Sequence, residues 1–372
     1  MSATVGDFID IMEGFAPIGL AEPWDNVGLQ AGHRDWRVKR IWTALDPLPE
    51  VIAAACSNKV DLLVTHHPLI FKPLKRLDFA EPIGRCILHA IENRLAVYAA
   101  HTNFDSAAGG LNDIFAGRLG LTNLTALVAP APASGYKLVV FVPVEHEQRL
   151  LAALFETPAG EIGAYRNCSF RTTGRGTFKP DQDAEPHAGE HGRVNDVAEI
   201  KIEAVVAQRD LARVIAHLRS HHPYETMAYD VYPLRQADST QGLGRVGELA
   251  EPTDLTSLAI AVKRAFDVET LRVVGDPHLP VKRVAVCTGS GASLLPNFLA
   301  SPAEVFISGD LRYHDARDTA AAGRGLIDDG HFASEHIFVS ELTRRLRDAA
   351  AAVGLDVDIS GCDLEIEPFS YL

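Results

Sequence analysis

No two of the five cysteines in this 372-residue chain stand in CxxC spacing. Cys56, Cys86, Cys168, Cys287 and Cys362 are scattered and odd in number, so neither a thiolate zinc site nor a disulfide framework is indicated. They read as small apolar core residues in a reducing compartment. No apolar run reaches the roughly 20 residues that span a bilayer. The amphipathic start sets Phe8, Ile9, Ile11, Met12 and Phe15 among Asp7, Asp10 and Glu13 and lacks the basic opening of a secretory signal. A basic stripe is missing too. The formal charge is −14, from 35 Lys and Arg against 49 Asp and Glu, so binding to nucleic acid or membrane is not expected. These absences together predict a cytoplasmic protein. What is present, 47% hydrophobic and 23% charged residues, is enough for two modest domains.

The N-terminal part alternates strand and helix. Arg40 to Leu45 is an apolar, β-rich run, and Pro49 to Cys56 follows as a helix with proline in its first turn. Asp61 to Thr65 is the next buried strand and ends on His66-His67-Pro68. A helical stretch from Pro82 to Leu95, with Ile83, Cys86, Ile87, Ala90 and Ile91 on one face, leads to the strand Ala96 to Ala100. That strand ends on His101-Thr102-Asn103-Phe104-Asp105. The last third repeats the rhythm. Lys282 to Cys287 runs into a small-residue turn, Glu304 to Ser308 ends at Gly309-Asp310, and Gly325 to Asp328 ends at Asp329-Gly330-His331. Such alternation predicts an α/β fold in which both parts contribute to a mainly parallel sheet, with the histidines along one rim at the carboxyl ends of the strands.

The middle of the chain differs in character. It opens with the strand Tyr136 to Pro143 and a helix from Gln148 to Phe155, then passes a Gly- and Arg-rich stretch, Gly163 to Pro180, and a polar loop to Asn195. A strand, Glu199 to Ala207, a helix, Asp210 to Ser220, and a strand, Tyr229 to Leu234, complete it. The order β-α-β-β-α-β is that of a ferredoxin-like unit. The chain is therefore expected to divide into a discontinuous α/β domain, 1–133 and 247–372, and an inserted α+β domain, 134–246, entered through the Pro- and Ala-rich stretch 128–133.

The rim carries the chemistry. His331 and Glu335 are four residues apart, so a helix beginning after Gly330 projects imidazole and carboxylate from one face. His66 and His67 are neighbours at a strand end, with Pro68 opposing continuation into a helix, and their rings diverge. Diverging neighbours suit two metals better than one. Asp105, four residues beyond His101, offers a carboxylate able to stand between two cations. Three imidazoles and two carboxylates suit Zn, Mn, Fe, Ni or Co better than Ca or Mg, whose cages are built from oxygen. His101 taken alone reads more readily as a neighbour of the site than as a ligand. Other strings mislead. His221-His222-Pro223 follows a helix and marks its end. Gly242-Leu243-Gly244-Arg245-Val246-Gly247 matches GxGxxG without the preceding strand and following helix of a dinucleotide site. His187, His191 and His278 sit in loops rich in Pro and Gly and read as solvated.

Five strings carry a resemblance. They are Glu22-Pro23-Trp24-Asp25-Asn26-Val27-Gly28-Leu29, Thr65-His66-His67-Pro68-Leu69-Ile70-Phe71, His101-Thr102-Asn103-Phe104-Asp105, Gly309-Asp310-Leu311-Arg312-Tyr313-His314-Asp315-Ala316 and Gly330-His331-Phe332-Ala333-Ser334-Glu335. In this order they resemble the signature segments of the Nif-three-like family, also called GTP cyclohydrolase 1 type 2 homologues or dinuclear metal-centre hexameric proteins. His222-Pro223-Tyr224-Glu225 with Ala228-Tyr229-Asp230 resembles the insert of its longer members, likened to the PII-type signalling fold; Thr226-Met227 departs from the usual acidic and proline residues there. The resemblance implies two divalent ions per chain on His66, His67, Asp105, His331 and Glu335, with Glu335 as the bridge. His101, Asp310 and His314 are then nearby candidates for proton transfer or ligand orientation. It also implies a toroidal homohexamer and a metal-dependent hydrolase acting on a nucleotide or other small molecule. The competing expectation is a non-catalytic metal-binding regulator whose insert senses a partner or small molecule.

Overall fold

The computed structural model describes residues 3–129, 135–163, 165–234 and 240–370. The chain forms two compact units, one made of Met1–Pro130 with Asp238–Leu372 and the other of Ala131–Ala237. Most of the Pro- and Ala-rich stretch expected as the entry linker lies outside the described residues. No helix among the described residues is long and apolar enough to cross a membrane.

Two sheets build the discontinuous unit among the described residues, where the sequence suggests one. The first runs Gly28–Ala31, Ala96–Ala99, Leu62–Thr65, Arg40–Ala44, Asp358–Gly361, and every pair is parallel except the one made by the Gly28–Ala31 edge. The second runs Arg272–Val274, Gly325–Asp328, Val305–Gly309, Pro280–Ser290, Leu243–Asp254, Thr122–Val128. Only its three neighbours Gly325–Asp328, Val305–Gly309 and Pro280–Ser290 pair in parallel; the outer pairs are antiparallel. The expectation of one mainly parallel sheet is corrected accordingly. Apolar runs report that strands are buried, but they carry no mark of which strands exchange hydrogen bonds.

Alternation along the strands explains how the sheets stack. Leu62 and Val64 face a core that also holds Ile41, Tyr98, Phe338 and, from the second sheet, Val284, Val286 and Ile307. Leu63 and Val97 face the opposite way, onto Val51, Ile52, Cys86 and Ile87 of the helices Pro49–Ser57 and Pro82–Glu92. Ala285 and Phe306 in turn face Leu295 and Phe298. Four of the cysteines are buried and Cys168 is half-buried, none of them paired.

The inserted unit ends earlier than the sequence suggests, at Ala237 and not at 246. The reason is the strand Leu243–Asp254, whose polar sequence hides it and which pairs with Pro280–Ser290 and Thr122–Val128 of the discontinuous unit. The GxGxxG string lies at its start. Gly244 has φ +63°, and a side chain on it would crowd the carbonyl of Val286 at 2.9 Å. Arg245, 1% exposed, spends its donors on the Asp113 carboxylate and the carbonyls of Ala107, Gly242 and Gly244. A buried guanidinium so fully paired is a structural plug.

Within the insert the strand order is Ser169–Phe178, Asn195–Ala207, Gly135–Pro143, Tyr229–Pro233, all antiparallel, with helices Glu147–Phe155 and Gln208–His221 between. The Gly- and Arg-rich stretch thus contains the second strand. His221 is the last residue of its helix and His222 its cap, as expected of helix termination. His278 is exposed, whereas the exposed His191 is held through Nδ1 to the Asp181 carbonyl at 2.8 Å.

Candidate metal centre

Three strand ends and two short helices bring the site together. His66 and His67 follow the strand Leu62–Thr65; His101 follows Ala96–Ala99 and leads into the helix Thr102–Ser106, which carries Asp105. His331 opens the helix His331–Glu335 after Gly330, whose φ of +86° makes the sharp exit from the strand Gly325–Asp328. One turn of helix then does what its spacing predicts. His331 Nε2 and Glu335 Oε2 are 2.8 Å apart.

Glu335 is the centre of the arrangement. It is 3% exposed, and its two oxygens reach three imidazoles: Oε2 lies 2.8 Å from His331 Nε2 and 3.0 Å from His67 Nε2, while Oε1 lies 3.5 Å from His66 Nε2. Asp105 Oδ1 is 3.7 Å from His66 Nε2. Two triads share His67: ring nitrogens of His66, His67 and His101 converge in one, and His67, His331 and Glu335 supply the other.

Each ring is oriented by an acceptor on its other nitrogen. His66 Nδ1 donates to the Ala100 carbonyl (2.9 Å), His67 Nδ1 to Asp46 (2.7 Å), His101 Nδ1 to Asp25 (2.9 Å) and His331 Nδ1 to Asp310 (2.7 Å). A carbonyl or carboxylate can only accept, so Nδ1 carries a proton and each ring turns its Nε2 inward, where it is the only ring nitrogen left for a cation. Among the described residues His66 Nε2, Asp105 Oδ1 and Glu335 Oε2 are buried without a hydrogen-bond partner. Buried acceptors facing one another with no donor between them are unfavourable unless a cation or proton stands there. The residues therefore fit borderline divalent ions.

The acidities of the metal-free site show protons in that place. Burial alone would lower His67, yet the carboxylates of Asp46 and Glu335 raise it to about 10. Burial likewise opposes, and Glu335 and Asp310 overcome it, in lifting His331 to about 9. His66, wholly buried, falls to about 4 despite Glu335. Burial works to raise Glu335, but the imidazoles of His66, His331 and His67 pull it well below the carboxylate range. Asp105 goes up through burial and the charge of Glu335.

This has a consequence for stability. His67 and His331 bind protons more tightly folded than at their ordinary 6.5, so their contribution is complete below about pH 6.5 and is lost as pH rises through about 9 and then about 10. Metal-free protein should melt at progressively lower temperature from about pH 7 to 10. Metal-loaded protein should lack this decline, because ions replace those protons. Thermal melting of both forms across the range checks it; a metal-free protein that gains stability with pH contradicts it.

Two of the orienting carboxylates, Asp46 and Asp25, carry no mark of that role in their sequence context. Asp46 sits just past the strand Arg40–Ala44, and its turn is held by Glu365, which accepts from the backbone N–H groups of Leu45 (2.9 Å) and Asp46 (2.6 Å). Asp25 also accepts from the N–H and hydroxyl of Thr102. Burial opposes, but His101 and Thr102 bring it down to about 2. Asp310 adopts φ +55°, a left-handed conformation that Asp tolerates, and this aims its carboxylate at His331. Its proximity matches the sequence expectation. His314 does not join them. It is exposed on the helix Tyr313–Ala321, its ring 5.4 Å from that of Tyr313, because the turn after Asp310 carries it away from the rim.

Removing an orienting carboxylate should weaken metal binding without abolishing it. Asp46→Ala and Asp310→Ala are each expected to lower affinity roughly 10–100-fold, the usual range for such partners of ligating histidines. Chelator competition measures this. Unchanged affinity in both variants would mean that the rings are held by packing alone.

The profile of the Duf34/NIF3 (NGG1p interacting factor 3) family matches residues 3–368. A Bacillus subtilis protein named GTP cyclohydrolase 1 type 2 homolog is 38% identical over 364 residues, covering 98% of this chain and 97% of its own. One of the same name from Mycobacterium tuberculosis is 35% identical over 375 residues, covering 100% and 97%. Among solved structures, a Bacillus cereus protein related to NIF3 aligns over 100% of both chains with TM-score 0.71 and 35% identity. A Staphylococcus aureus protein aligns over 100% of this chain and 99% of its own with TM-score 0.81 and 28% identity. With its ordered motifs, its fold and its whole length matched, the chain belongs to the Duf34/NIF3 family.

Proposed function

We propose that this protein is a dinuclear-metal hydrolase whose ions are held by His66, His67, Asp105, His331 and Glu335, with His101 closing the first triad. The observation that carries the reading is the Glu335 carboxylate, which meets imidazoles of both triads from a position without solvent. Divalent ions in such a set supply Lewis acidity toward a carbonyl or phosphoryl oxygen and make water acidic near neutral pH. Asp46 and Asp310 keep the Nδ1 protons of His67 and His331 in place, so neither ring can turn its lone pair away. Asp25 holds the His101 ring through Nδ1 in the same way, which keeps its Nε2 lone pair turned toward His66 and His67. A cavity of about 630 Å³ adjoins His67, Asp310 and His331, with Arg272 on its wall. That volume suits a small molecule of nucleotide size. The name borne by the relatives makes GTP the first substrate to test.

Alongside this we read residues 131–237 as a ferredoxin-like, PII-like insert and the assembly as a toroidal cytoplasmic homohexamer, which light scattering on the purified chain tests. The activity test is a screen of nucleotides, phosphoesters and amides with zinc, manganese, iron, nickel or cobalt. Turnover should require the ion and fall by about a thousandfold or more in His67→Ala, by loss of the two-metal arrangement. Fully metallated protein that turns over nothing in the screen would replace the hydrolase with the regulatory metal-binding reading.

A further inference from the structure

The inserted unit carries metal-ligating side chains of its own. His146 closes the short turn Val144–His146 that feeds the helix Glu147–Phe155, and His187 lies in the segment between the strands Ser169–Phe178 and Asn195–Ala207. Their Nε2 atoms face each other at 3.3 Å, with the rings inclined by 71°. Glu145 Oε1 is 3.9 Å from His187 Nε2. Two imidazole nitrogens on one tetrahedral zinc, each at about 2.05 Å, stand roughly 3.3–3.4 Å apart. The pair therefore has the required spacing already. Glu145 needs only a small shift, which its side chain, 65% exposed, is free to make. Two facing imidazoles share at most one proton between them, whereas a borderline cation engages both lone pairs.

The geometry points to Glu145, His146 and His187 as a divalent transition-metal site, with zinc-type preference and an open fourth position, that ties the 181–194 segment to the head of the helix Glu147–Phe155. His187 is exposed, as its loop sequence suggests, and the assignment adds a ligand role to that reading. Glu145 and His146 are adjacent, but 41 residues separate His146 from His187, and no local spacing announces the group. A second cluster in the insert, Glu156, His217 and His221, serves as the internal control. There His217 Nε2 is engaged by Glu156 at 3.1 Å and His221 Nδ1 by the His217 carbonyl at 2.9 Å.

The test uses the full chain loaded with zinc and freed of excess by dialysis. Elemental analysis should show His146→Ala and His187→Ala each holding one zinc fewer per chain than the unaltered protein, with His217→Ala holding the full amount. Tryptic cleavage after Arg193 should slow about tenfold on adding zinc to the unaltered chain and not slow in His187→Ala. Zinc content and zinc-dependent protection in the His146→Ala and His187→Ala variants equal to those of the unaltered chain would overturn the assignment. So would a zinc loss that follows His217→Ala, which would place the ion on the other cluster.

Discussion

Glu335→Ala is expected to empty both metal sites, with a loss of affinity well beyond the roughly 10–100-fold that follows removal of an orienting group. The reason is geometric. The carboxylate lies 2.8, 3.0 and 3.5 Å from His331, His67 and His66, so its removal takes a partner from both triads at once. It also takes away the buried negative charge, held well below the usual carboxylate range, that offsets cationic repulsion. Elemental analysis after reconstitution should find Glu335→Ala holding about two divalent ions fewer per chain than the unaltered protein. His331→Ala, which removes a member of one triad only, should lose about one. If Glu335→Ala and His331→Ala lose equal amounts, Glu335 does not join the two sites.

Gly289→Ala should be as damaging, although no chemistry resides in glycine. A Cβ built at this position falls inside the radius of Glu335 Oε1 and 3.3 Å from His331 Nε2, and the residue has φ +62°. Alanine therefore faces a strained backbone and an occupied volume together. The Gly289 N–H also donates to Ser334 Oγ at 2.9 Å, and that hydroxyl donates to the His331 carbonyl at 2.8 Å, so the turn and the His331–Glu335 helix move as one. Metal affinity is expected to fall by at least the roughly 100-fold that marks the upper range for lost orienting partners. Circular dichroism should still report a folded chain, since the clash is confined to the rim. Normal metal binding by Gly289→Ala would show that Glu335 can be displaced without cost.

Local chemistry made part of this legible in the amino-acid order. A strand that ends in His-His-Pro and a helix that starts His-x-x-x-Glu are set by periods of two and 3.6 residues, and those periods survive in any tertiary context. The β-α-β-β-α-β order of the insert is likewise a matter of successive short segments. The Gly- and Arg-rich strand Ser169–Phe178 escaped because its composition lacks the apolar run that signals burial, and its residues are in fact mostly exposed.

Other features exist only once the chain has closed on itself. Asp46 reaches His67 across 21 residues and Asp25 reaches His101 across 76, and nothing in either carboxylate's neighbours marks it as an orienting group. Gly289 matters because Glu335, far along the chain, occupies the space where a side chain would go. The strand Leu243–Asp254 is polar in sequence and becomes a strand through its two neighbours, and with it the second sheet acquires its antiparallel flank. By itself the sequence determined which imidazoles and carboxylates end each strand, because that depends on bonds and spacings a few residues long. Which nitrogen each ring turns inward, and that one buried carboxylate meets three of them, only the tertiary structure decided, because hydrogen bonds between distant segments leave no periodic trace in the chain that makes them.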